Sequence, residues 1–203
     1  MWYSKDHVPV YTSQEWYTKI AKSYGWFHTF LNEWDRGLYQ RFLPRDLNWL
    51  ALLDLGCGDG RTALWFERKW LARYVGLDVA ADLLRRAPTW VEKIVWDMEQ
   101  PLPFTHDSFD LVVCMYAILH IEQLEALFAE VRRVCKVGGR FIVQHHIERR
   151  PYIHHTADGE AFKIVTYNHS YTDLEQAAEA SWWTYDLLEI DERHGGGRIY
   201  CFS

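Results

Sequence analysis

The residues best placed to do chemistry are the run Asp54-Leu-Gly-Cys-Gly-Asp-Gly60 and two later acids, Asp78 and Asp97. Glycines at 56, 58 and 60 let a backbone approach a ligand closely, and a helix N-terminus just beyond supplies N–H donors. The details narrow the ligand. A dinucleotide fingerprint would need a third glycine at position 61, which is Arg61, and no GxxxxGK[ST] phosphate loop occurs. Asp54, two residues before the first glycine, suits a cationic ligand better than a pyrophosphate. Asp78 is placed to accept both hydroxyls of a ribose, and Asp97 or the Met98 backbone to meet an adenine edge.

Three histidines are candidate general bases: His120, His145 and His146. Each is alternatively a hydrogen-bonded or solvent-facing imidazole, and strand alternation lets at most one of His145 and His146 face a crevice. His154, His155 and His169 add to the histidine count, but their spacing matches no compact ligand motif and no metal is expected.

These residues need strands to carry them. Leu50–Leu55, Tyr74–Asp78, Lys93–Asp97, Phe109–Cys114 and Arg140–Ile147 read as apolar strands, with helices over 61–70, 80–86 and 124–134 between them. Leu124, Leu127, Phe128, Val131 and Val134 share one buried helical face, and Gly138-Gly139 is expected to end that helix. Alternation of this kind implies a parallel sheet covered on both faces. Near the C-terminus, Thr172 reads as the cap of a helix. Tyr185–Arg193 and Arg198–Phe202 read as strands joined through Gly195-Gly-Gly197.

Before Trp49 the character differs. Residues 1–12 look irregular, Ser13 is a candidate cap for a helix, and a second helix is expected over 27–42, closed by Pro44. The 203 residues suffice for one core, with a net charge of −6, which argues against a partner held through phosphates. No leader or membrane segment is legible, and four scattered cysteines favour free buried thiols, so a cytoplasmic location is expected. Most of the 11 tryptophans are expected in the core, although Trp16, Trp26 and Trp34 fall where they can face a substrate.

The sequence resembles the class I S-adenosylmethionine-dependent methyltransferases of the small-molecule group. Leu53–Thr62 is similar to that family's first motif and Gly76-Leu-Asp78 to its ribose acid. Asp97-Met-Glu with Ser108-Phe-Asp-Leu-Val resembles its adenine loop and fourth strand, and Glu130–Arg140 the turn before its fifth. The resemblance implies a Rossmann-like, doubly wound α/β fold with a mostly parallel seven-stranded sheet, a C-terminal antiparallel hairpin and helices on both faces. It implies a lid over 1–48 and a cofactor-binding core over 49–203, while the long polar stretch near 148–171, rich in Tyr and His, reads as a substrate insertion. The implied cofactor contacts are Tyr24, Asp54, Gly56, Cys57, Gly58, Asp78, Val79, Asp97, Met98, Met115 and Tyr116. The implied reaction is methyl transfer to the O, N or C of a small molecule. Alternatives are a protein or nucleic-acid methyltransferase and a non-catalytic S-adenosylmethionine-binding module. The acidic balance, and Cys114-Met-Tyr-Ala where base-methylating enzymes often carry an Asn/Asp-Pro-Pro-aromatic run, speak against nucleic acid. Oligomeric state is not legible.

Overall fold

The computed structural model describes residues 8–22, 24, 37–67, 69–147, 154–155, 161–190 and 196–203. Its centre is a seven-stranded sheet. The parallel strands are β2 (Ala51–Leu55), β3 (Arg73–Asp78), β4 (Glu92–Val95), β5 (Phe109–Met115) and β6 (Cys135–His145). Strands β9 (Tyr185–Glu189) and β10 (Arg198–Phe202) complete it, in the order β4-β3-β2-β5-β6-β10-β9. Strand β10 runs antiparallel to both β6 and β9, which is the C-terminal hairpin expected from the glycines.

Both faces are buried because β2 and β3 are apolar at nearly every position. One face carries α4 (Leu124–Val134) and α5 (Tyr171–Ala180), where Phe128, Val131, Leu174 and Ala177 pack on Leu53, Val112, Phe141 and Phe202. The opposite face carries α2 (Arg61–Phe66) and a 3-10 turn over Leu38–Phe42, with Ala63, Phe66 and Tyr39 against Leu52, Leu111, Val113, Ile142 and Ile199. Each fully buried large apolar side chain contributes about 1.5–3 kcal/mol. All four cysteines are free and buried.

Several local expectations change. Helix α1 (Ser13–Ile20) is capped by Thr12 rather than Ser13, because Glu15 completes a capping box with Thr12. The short helix α3 (Ala81–Leu84) follows β3, and its Leu83 packs with Ala21 at the end of α1. Helix α5 starts earlier than expected: Ser170, not Thr172, is the cap, paired with Asp173. Helix α4 stops at Val134 without the glycines. Cys135 is already extended, and Gly138 and Gly139 lie inside the long strand β6, where the β5 pairing shifts register at 109–111. At Gly139 a Cβ would sit 2.6 Å from the Cys135 sulfur, so this irregular stretch has no room for a side chain.

The stretch expected to be irregular contains a strand. Val10–Tyr11 (β1) pairs in parallel with Ala161–Ile164 (β8), and β8 pairs with His154–His155 (β7). The N-terminal segment and the insertion after β6 therefore form one small sheet. Most of the expected 27–42 helix lies outside the described residues.

Candidate functional site

The turn after β2 is shaped by backbone constraint. Gly56, Gly58 and Gly60 have φ of 66°, 58° and 86°, the left-handed region that glycine enters without strain. A Cβ at Gly56 would lie 2.3 Å from the Ala117 Cβ and 3.5 Å from the Met98 methyl, so the turn is pressed between the ends of β5 and β4. Gly60 then caps α2.

Asp78, the last residue of β3, fixes this turn. One carboxylate oxygen accepts from the Gly58 N–H at 2.8 Å and the other from the Ala80 N–H at 2.8 Å. Burial pushes its pKa up, while these backbone N–H bonds pull it down. Each oxygen retains a further lone pair, so the acid is held rigidly and can still accept from two hydroxyls. Asp54 is more deeply buried. Its Oδ2 accepts from the Tyr74 hydroxyl at 2.7 Å, and burial raises its pKa to about 7 despite that bond and the nearby Arg61. Cys57 packs beneath, its sulfur filling the space a side chain at Gly76 would need, and burial pushes its thiol pKa up.

Above the turn stands Tyr24, whose ring edge is 3.7 Å from the position a Gly58 Cβ would occupy. Burial and then the charges of Asp59 and Asp78 raise its phenol pKa. Tyr17 meets Tyr24 edge-on at 5.8 Å, and its hydroxyl lies 3.1 Å from His120 Nε2. The other ring nitrogen, Nδ1–H, donates to the Val165 carbonyl at 3.2 Å, which leaves Nε2 as the acceptor for Tyr17.

The remaining expected residues are distributed around this centre. Met115 ends β5 and is buried; Tyr116 follows with φ of 63°, its ring 5.1 Å from the Arg61 guanidinium. Val79 and Met98 are half-buried, whereas Asp97 is exposed and accepts from the Glu99 N–H in its own turn. His145 is 1% exposed, donates from Nε2 to the His169 carbonyl, and is held by burial at a pKa of about 4. His146 lies just past β6 against Gly197. Trp16 is not a cleft residue: it stacks on Phe162 at 3.4 Å, joining α1 to β8. Trp26 and Trp34 lie outside the described residues.

Sequence reasoning missed Tyr74, Tyr17 and Gln144. The signal for Tyr74 was present, since a tyrosine inside a strand buried on both faces needs a partner for its hydroxyl. Among the described residues no group of three or more His, Cys, Asp or Glu can hold a metal.

This donor set fits an adenosyl cofactor with a cationic end. A glycine cradle lies beside a fixed ribose-type acid, with a second acid close by and an aromatic ring above. Residues 53–143 match the family model described as a methyltransferase domain. The chain is 34% identical over 102 residues to an uncharacterized methyltransferase, YcgJ, of Bacillus subtilis, covering 47% of this chain and 40% of that protein. It is 29% identical over 106 residues to ajmaline N-methyltransferase of Rauvolfia serpentina, covering 48% and 36%. The chain thus spans less than half the length of these two relatives. Among solved structures, an S-adenosylmethionine-dependent methyltransferase from Mesorhizobium loti superposes with a TM-score of 0.68 at 19% identity, over 83% of this chain and 97% of that one. Motif, sheet order and glycine turn agree with that match: residues 53–143 are similar in sequence to a methyltransferase domain, and the sheet has the fold of the S-adenosylmethionine-dependent methyltransferase it superposes on.

Proposed function

We propose that this chain binds S-adenosylmethionine and transfers its methyl group to a small-molecule acceptor. The observation that carries the reading is the Asp78 carboxylate, locked by two backbone N–H groups beside Gly58 and beneath Tyr24. When bound, the cofactor supplies a methyl group already activated on a sulfonium.

What the protein contributes is orientation and exclusion of water. In this reading Asp78 accepts the ribose hydroxyls, with Val79 alongside. Gly56, Cys57 and Gly58 bring backbone against the nucleoside and methionine portion, and Asp54 provides negative charge for the cationic end. The adenine lies at Asp97 and Met98. Met115 and Tyr116 border the acceptor, and Tyr24 closes over the cofactor. Residues 8–22 and 24, with 161–167, then act as the lid.

Of the three histidines, His120 is the one suited to take a proton from an acceptor. Its Nε2 carries the lone pair and faces Tyr17 in the lid. His145 is a poor base near neutrality, because burial disfavours its charged form and its Nε2–H is engaged. The small-molecule class draws support from the named relative that methylates ajmaline and from the net charge of −6. No helix among the described residues is long and apolar enough to cross a membrane. With four free buried thiols, this is consistent with action in the cytoplasm.

Calorimetric titration of S-adenosylmethionine tests the reading, followed by turnover on a panel of small hydroxyl, amine and activated-carbon acceptors. Saturable binding with methylated product supports it. Binding without turnover would favour the non-catalytic module, and no binding would overturn the reading altogether.

A further inference from the structure

Gln144 is the penultimate residue of β6, level with the end of β5, where a parallel sheet opens its ligand crevice. It pairs with Met115 on one side and Ile199 on the other. Alternation along β6 places it on the same face as Ile142, the face that carries Tyr39, Met115 and Ile199. The residue is 2% exposed, yet its Oε1 has no hydrogen-bond donor among the described residues. Buried carbonyl oxygens are almost always satisfied, and one left unmet costs stability for no structural return. His145, next along, projects to the other face toward Tyr171 and His169 and so belongs to a different layer.

We propose that Gln144 Oε1 is the specificity contact for the methyl acceptor, receiving a hydrogen bond from an N–H or O–H of a neutral molecule. An amide oxygen only accepts, which sets the ligand's polarity. The apolar frame of Met115, Ile142 and Ile199 makes burial of an ionised group costly, which sets its charge. The acceptor class is then an alcohol, phenol, indole-type N–H or amide rather than a carboxylate or a bare hydrocarbon. This inference rests on the methyltransferase reading, which places the acceptor beside Met115.

The test has two arms. In the ligand-free protein, Gln144→Leu and Gln144→Met replace an unmet acceptor with apolar atoms, so thermal stability is expected to stay equal or rise. A fall of several degrees in both variants, or failure of both to fold, means that the oxygen already has a partner and overturns the proposal. In the second arm, protein saturated with S-adenosylhomocysteine is titrated with phenol, benzyl alcohol and indole, and with anisole, benzyl methyl ether and N-methylindole. The readout is the Gln144 side-chain amide resonance, identified by its loss in Gln144→Leu. The donors are expected to shift it and to bind several-fold tighter than their capped partners, with the difference abolished in Gln144→Leu. Equal responses, or none, overturn the proposal. Failure of S-adenosylhomocysteine to bind wild-type protein would instead sink the methyltransferase reading, while the stability arm still judges Gln144.

Discussion

Tyr17 and His120 stand 103 positions apart in the chain, and their side chains meet at 3.1 Å. The same imidazole reaches the Val165 carbonyl at 3.2 Å, so one ring joins α1 to the stretch that follows β8. Pairing of β1 with β8 and the stacking of Trp16 on Phe162 bind those two segments to each other. The two segments read above as a lid are thus joined to each other and to His120, although they come from distant parts of the sequence.

A unit built this way opens as a unit. His120→Ala is expected to raise amide hydrogen exchange in residues 9–22 and 161–167 together. Tyr17→Phe, which removes one hydrogen bond, should cost only about 1 kcal/mol. Mass-spectrometric exchange checks this, and protection lost in one segment alone would show that they move independently.

Asp78→Ala is expected to weaken S-adenosylmethionine binding by about 1–3 kcal/mol, because charge-assisted bonds to the ribose are lost. The variant also frees the Gly58 and Ala80 N–H groups, so its thermal stability should fall too. Calorimetry at a temperature where the variant remains folded separates the two effects, and unchanged affinity would place the ribose elsewhere.

Asp54 gives a pH dependence whose sign follows from its environment. Burial raises its folded pKa to about 7, with Tyr74 and Arg61 opposing and Asp78 adding to the rise. A carboxyl with a raised folded pKa favours folding while protonated. Its contribution is therefore full below pH ~4 and is lost as pH rises from there to about 7. A cationic ligand favours the ionised form, so S-adenosylmethionine affinity should rise with pH up to about 7 and then level off. Titrations near pH 6 in buffers of different ionisation enthalpy should reveal proton release that Asp54→Asn abolishes.

Two glycines separate backbone strain from crowding. Gly138 has φ of 77° and nothing within 4 Å of the place an alanine Cβ would take, so Gly138→Ala should cost about 1 kcal/mol from conformation alone. Gly56 has a similar φ of 66°, but its Cβ would overlap Ala117, which adds an overpacking penalty of about 1–3 kcal/mol. Denaturant unfolding of the two variants should rank them in that order, and only Gly56→Ala should also weaken cofactor binding.

The core of the site was legible because its signals are local. The strand-glycine-helix run, the acids ending β3 and following β4, and the apolar runs that must be buried are all read from neighbours in sequence. Helix caps were misplaced by one or two residues because Thr12 and Ser170 are chosen by the partner three positions on. Gly138 and Gly139 misled because a glycine pair serves a helix end or an irregular strand equally well, and pairing with β5 decided between them.

By itself the sequence determined the alternation of strands and helices and the glycine turn with its acids, since burial periodicity and backbone sterics act over a few residues. Only the tertiary structure decided which groups share an environment. It put Tyr74 on Asp54, Tyr17 on His120, and the amide oxygen of Gln144 in an apolar wall beside Met115. Those relationships depend on distance and dielectric across separate elements, and no local pattern encodes them.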